Sequence, residues 1–175
     1  DGQFTGITAV LLAKPLVSAT TSSTPTTIPV TKPTLPSVSD DQVIVALNEY
    51  RKVHNVAPLQ VNDQLCSYAQ KRVADLVAFG GLDNHQGFQA DFADPQQRPV
   101  QLQGYPGGTI GENLAHQFCR NMTTGQSFIA ETGTALIEWC FDSSTKGHRE
   151  AQLSTTYKNV CVRHADGMYV VTFGD

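Results

Sequence analysis

Apolar residues recur at three- and four-residue spacing twice in the first half of the chain. Val43, Ala46, Leu47 and Tyr50 form one set, behind Ser39 or Asp40 as a helix cap and ahead of Pro58 as a stop. Leu65, Cys66, Ala69, Val73, Leu76 and Val77 form the other, which Asn62 can cap and Gly80-Gly81 can end. Two amphipathic helices of this kind need a shared core to cover their stripes. Residues 83–111, rich in Gly, Pro, Asp and Gln, carry neither period and read as loop or short extended pieces, a length usually functional or mobile. Helical spacing returns over residues 126–142 through Phe128, Ile129, Leu136 and Cys140, with Trp139 as the expected core anchor. Gly133 weakens the middle of that helix by roughly 1 kcal/mol relative to Ala. The period then falls to two. Val160 and Val162 alternate with polar neighbours, Ala165-Asp166-Gly167 makes a turn, and the chain returns through Met168, Tyr169, Val170 and Val171 as a hairpin. Early helices, late strands and a loop-rich centre predict an α+β chain whose helices cover an antiparallel sheet.

Composition changes this picture at the front of the chain. The 175 residues suit one domain, at 40–175, plus a tail. Residues 1–19 resemble a secretory signal, with a short apolar run at 7–13 and Val17-Ser18-Ala19 as a cleavage-like site; a short hydrophobic helix or strand is the alternative. That run is too short to span a bilayer. Residues 20–39 hold Pro25, Pro29, Pro33 and Pro36 among Ser and Thr and read as an extended linker or glycosylated stalk. A net charge of −4, without a polybasic run, gives no footing for nucleic acid. Cys66, Cys119, Cys140 and Cys161 contain no pair spaced for a zinc knuckle, so two disulfides in a secreted, extracellular protein is the simplest reading, against four free thiols in the cytosol.

Candidate chemistry gathers in three segments. His85 follows the end of the second helix, Glu112 lies in Gly111-Glu112-Asn113-Leu114-Ala115, and His148 follows Gly147. A carboxylate entering an apolar run needs a partner, either an arginine such as Arg149 or a cation shared with the histidines. Glu138 and Asp142 lie four residues apart on one predicted helix face, and either could join them. Imidazoles with carboxylates fit a divalent cation, zinc best. His54, His116 and His164 read as ordinary surface or hydrogen-bonded histidines. No Ser elbow, phosphate loop or dinucleotide glycine pattern is present. Asn121-Met122-Thr123 is a glycosylation sequon.

The order of His85, the Gly-Glu-Asn-Leu-Ala pentapeptide, Trp139 to Asp142 and Gly147-His148-Arg149-Glu150 resembles the CAP superfamily of cysteine-rich secretory, venom-antigen and pathogenesis-related proteins. The resemblance implies a three-layer α-β-α sandwich with an antiparallel central sheet, secretion, and a cleft whose acid and histidine tetrad often binds a divalent cation. Carried over, the metal ligands are His85, Glu112, Asp142 and His148, with Glu138 in reserve. The family pattern also implies disulfides Cys140–Cys161 and Cys66–Cys119. Three functions follow as expectations. The first is a secreted module that binds a lipid, a sterol or an extracellular protein, in interaction or defence. The second is a metal-dependent hydrolase of peptide or cell-wall material with Glu112 as general base. The third is a domain in which the tetrad is only a buried hydrogen-bond network.

Overall fold

The computed structural model describes residues 37–94, 96–145 and 147–175, so the signal-like segment 1–19 and residues 20–36 of the Ser/Thr/Pro-rich stretch lie outside the described residues. Helix α1, Asp40–Val53, starts at a capping box. Ser39 Oγ accepts from the Gln42 N–H and Gln42 Oε1 accepts from the Ser39 N–H. Helix α2, Asp63–Phe79, starts at Asn62, whose side chain accepts from the Gln64 and Leu65 N–H groups. It ends on Gly80 in the left-handed conformation, φ 84°, where only glycine is unstrained. Between the two helices lies the short strand β1, Gln60–Val61.

The sheet adds β2, Ile110–His116, and the hairpin of β5, Asn159–Ala165, with β6, Met168–Gly174. Its order is β1-β5-β6-β2. The three long strands are antiparallel, as expected, but β1 runs parallel to β5, so the sheet is mixed rather than purely antiparallel. A parallel neighbour is what a strand–helix–strand crossover through α2 produces. Alternate residues of the strands feed two cores. Leu114, Cys161, Met168 and Val170 pack with Leu65, Ala69 and Leu76 of α2. Ala115, Val160, Val162, Tyr169 and Val171 pack on the other face with Leu47 of α1 and with Leu136, Ile137 and Phe141. Helices on both faces make the three-layer sandwich. Each fully buried leucine contributes about 1.5–3 kcal/mol.

Two expectations are corrected here. Residues 126–142 are not one helix. Strands β3, Phe118–Arg120, and β4, Ser127–Ile129, form a separate hairpin, and a π-helix occupies Ala135–Phe141. Phe128 and Ile129 follow the two-residue period, one turned toward Trp139 and the other exposed. The wide helix buries Leu136, Ile137, Cys140 and Phe141, which leaves Trp139 54% exposed instead of anchoring the core. The disulfides are Cys66–Cys161 and Cys119–Cys140. Cys161 faces α2 while Cys140 belongs to the opposite core, so the sheet itself separates the pair Cys140–Cys161. No helix of the described residues is long and apolar enough to cross a membrane.

Candidate functional site

The site forms where β2, the strand at one end of the sheet, meets the loop after α2 and the start of helix α4, His148–Leu153. Glu112 pairs with Thr172 across β2 and β6, and its side chain is completely buried. An ionised carboxylate there loses several kcal/mol of hydration and needs a counter-charge. Arg72 supplies it. This arginine is itself fully buried in α2; its Nε donates to Glu112 Oε2 at 2.8 Å and its Nη2 to Glu112 Oε1 at 3.3 Å. The same Nη2 donates to both oxygens of Asp83, at 3.1 and 2.9 Å, and Nη1 donates to Asp75 at 3.2 Å. One guanidinium thus holds α2, the loop after it and β2 together. Burial opposes the charge on Arg72, but the bonds to Glu112 and Asp83 more than offset it and hold the guanidinium above its ordinary range.

Asp83 also fixes the first histidine. It accepts from the N–H groups of His85 and Gly87, at 3.0 and 2.9 Å, and this closes a turn in which Asn84 and His85 both take positive φ, 52° and 65°. Burial raises the Asp83 carboxyl, yet the Gly87 N–H and Arg72 outweigh it and hold the group below the usual carboxylate range. Gly87 must lack a side chain, because a Cβ there would sit 2.2 Å from Arg72 Nη1. The strained turn brings His85 Nδ1 to 3.0 Å from Glu112 Oε1. A carboxylate accepts only, so Nδ1 carries the proton and Nε2 is left facing away from the network.

Short helix α3, Gln86–Asp91, continues from that turn and is pinned from α2. Lys71 and the Tyr68 hydroxyl both donate to Asp91, the hydroxyl at 3.0 Å. Burial first, and then Asp91, push the Tyr68 hydroxyl far above its ordinary range.

His148 enters from the other side. Gly147, φ 87°, turns the chain into α4, and the Asn113 side chain donates to the His148 carbonyl at 3.1 Å. The His148 ring packs edge-on against Phe141 at 5.4 Å and against His85 at 6.1 Å. Three of the residues expected from the sequence, His85, Glu112 and His148, therefore converge.

The proposed acids do not. Asp142 is taken up by the Tyr50 hydroxyl and by Arg149, which donates to it at 2.6 Å. Arg149, expected as a partner for Glu112, belongs to this second cluster. Glu138 is exposed on the π-helix. Among the described residues no three of His, Cys, Asp and Glu are grouped to hold a metal ion. The donor set agrees with this, since Asp142 is held by Tyr50 and Arg149 and Glu138 is exposed, so the four expected ligands are not presented together. A four-ligand zinc centre does not fit this site.

Sequence reasoning missed Arg72 and Asp83. The signal for Arg72 was available: Leu65, Ala69, Arg72 and Leu76 fall on one face of α2, so a charge interrupts the apolar stripe. Asp83, at the head of a loop, carried no comparable mark.

Solved structures with a similar fold include the following three. A cysteine-rich secretory protein from Staphylococcus aureus matches at TM-score 0.53 and 15% identity, over 77% of this chain and 37% of that one. An extracellular protein containing an SCP domain from Bacillus anthracis matches at TM-score 0.53 and 19% identity, over 77% of this chain and 39% of that one. An outer surface protein from Borrelia burgdorferi matches at TM-score 0.51 and 19% identity, over 77% of this chain and 90% of that one. This chain thus corresponds to well under half the length of the first two. No curated protein matches it. The model of the cysteine-rich secretory protein family matches residues 45–162, which span His85, Glu112 and His148. With the sandwich and this match together, the chain belongs to the cysteine-rich secretory protein (CAP) family.

Proposed function

We propose that this chain is an extracellular, non-catalytic binding module whose ligand sits in the cleft beside the paired, partly exposed rings of His85 and His148. The observation that carries the reading is the fully buried Glu112 carboxylate, bonded through both oxygens to Arg72. A general base needs a free lone pair and access to water. The Glu112 side chain is wholly covered and already accepts from Arg72 twice and from His85, which suits it to orienting His85 rather than to taking a proton from water. Two disulfides suit an oxidising compartment, and the similar folds carry extracellular or outer-surface descriptions. A cation bound here would have the two imidazoles as protein ligands and Glu112 behind His85, in the position of an orienting partner.

Thermal unfolding with added zinc and with chelator tests this. The expected result is a melting temperature unchanged by either, and no hydrolysis of peptide or cell-wall material. Zinc retained stoichiometrically, or a hydrolysis lost both on chelation and in Glu112→Gln, would restore the metal-dependent hydrolase.

A second reading, lipid or sterol binding, is favoured by a different feature. A hollow of about 390 Å³ lies beside α1 over Val45, Ala46 and Gly133. Solvent extraction of the purified protein followed by mass spectrometry, with direct titration of a fatty acid and a sterol, tests that reading. Absence of both extracted lipid and binding sinks it.

A further inference from the structure

The open end of the sheet carries main-chain hydrogen-bonding groups that no strand among the described residues takes up. The β5–β6 hairpin closes through the two-residue turn Asp166-Gly167 on the pair Ala165 and Met168. The closing pair of such a hairpin exchanges main-chain bonds, and the alternation continues along the strand. Met168, Val170, Thr172 and Gly174 therefore point their N–H and C=O groups at β5, and Tyr169, Val171 and Phe173 point theirs at β2. The Gly174 carbonyl does accept from the Lys158 N–H on the β5 side. On β2 the inward residues are then Gly111, Asn113 and Ala115, the partners of Phe173, Val171 and Tyr169. Ile110, Glu112 and Leu114 aim their main-chain groups away from the sheet, and no strand lies beyond β2 among the described residues.

Part of this edge is open. Asn113, Leu114 and Ala115 are buried, whereas residues 109–112 are not. Glu112 is partly exposed as a residue although its side chain is wholly covered, so the exposed atoms are those of its main chain. A pocket of about 400 Å³ adjoins this segment, lined by Phe88, Phe92 and Ile110 with Gln97 and Arg98 among its polar residues. Ile110 shares a sheet face with Glu112, so the pocket opens on the His85 side of the edge.

We propose that the edge at Ile110 and Glu112 takes up an extended peptide as an added strand, with one bulky apolar side chain in the Phe88, Phe92 and Ile110 pocket. Main-chain bonds to Ile110 and Glu112 fix the register, and alternate side chains read the pocket and the imidazoles. The proposal rests on the reading of the cleft as a binding site and names its ligand class. A second copy of this chain is a poorer occupant, because four open residues fall far short of the roughly 1,200 Å² that a stable interface buries.

The test pans a displayed heptapeptide library against the full chain and resynthesises a selected peptide with single N-methyl groups along its length. An aromatic or large aliphatic residue at one fixed position is expected, with affinity falling about tenfold or more for N-methylation at alternate positions only. Ile110→Pro removes the outward N–H at the start of an edge strand, where proline is tolerated, and is expected to weaken binding similarly while Ile110→Val does not. If Ile110→Pro fails to fold, the N-methyl series on the unaltered chain decides alone. Binding lost in His148→Ala but indifferent to N-methylation overturns the added strand and leaves the cleft as a binding site. Enrichment of no peptide overturns the peptide as ligand, and a concentration-dependent dimer that selected peptide does not dissociate overturns it in favour of a second copy.

Discussion

At the scale of single residues, Arg72 decides most of what the site can be. It is the counter-charge to Glu112 and Asp83, and removing it leaves two buried carboxylates without their cation. Arg72→Met should lower stability by about 3–5 kcal/mol in urea unfolding. Arg72→Lys should recover little of this, because an ammonium cannot reproduce the bonds of a planar fork. Asp83 makes the same network pH-dependent. Its carboxyl is held below the usual range, so the native state binds fewer protons than the unfolded one as acid is added. The stability it contributes is present above about pH 4 and is lost as pH falls through its lower folded value. Unfolding followed from pH 6 downward should show a shallower acid loss in Asp83→Asn than in the unaltered chain. Gly87→Ala should destabilise by about 1–3 kcal/mol, because its Cβ would press on a guanidinium that has nowhere to move.

At the scale of elements, sequence periodicity was most informative where one rule acted alone. Both long helices, their caps at Ser39 and Asn62, their stripes and the C-terminal hairpin were legible, because capping chemistry and period agree there. Residues 126–142 misled because Phe128 and Ile129 fit a helix as well as a strand, and a π-helix has no sequence period of its own. Gly133 shows how packing reverses a propensity argument. Read as a helix residue, it should gain about 1 kcal/mol on mutation to Ala. In the structure its Cβ would lie 2.2 Å from the Gln42 carbonyl oxygen of α1, a backbone atom that cannot swing aside. Gly133→Ala is therefore expected to lower the urea midpoint, and a rise would show that this close approach is not held. Of the site, His85, Glu112 and His148 were legible from motif order. The fate of Asp142 was not, since nothing in the local sequence announces Tyr50 as its partner from the far end of α1.

For the molecule as a whole, the two disulfides do different work. Cys66–Cys161 ties α2 to the sheet across 95 residues of sequence, and Cys119–Cys140 ties the small hairpin to the π-helix across 21. On chain entropy alone the longer closure stabilises more, by about 1 kcal/mol. Replacing Cys66 and Cys161 by Ser together should cost more in denaturant unfolding than replacing Cys119 and Cys140; the reverse order would point to local strain or residual structure instead. The topology has one more consequence. Strand β6 sits between β5 and β2 yet comes after both in the chain, so neither core can close until residues 168–174 have left the ribosome. Because that one strand feeds both cores, peeling it away would open the two faces of the sandwich together.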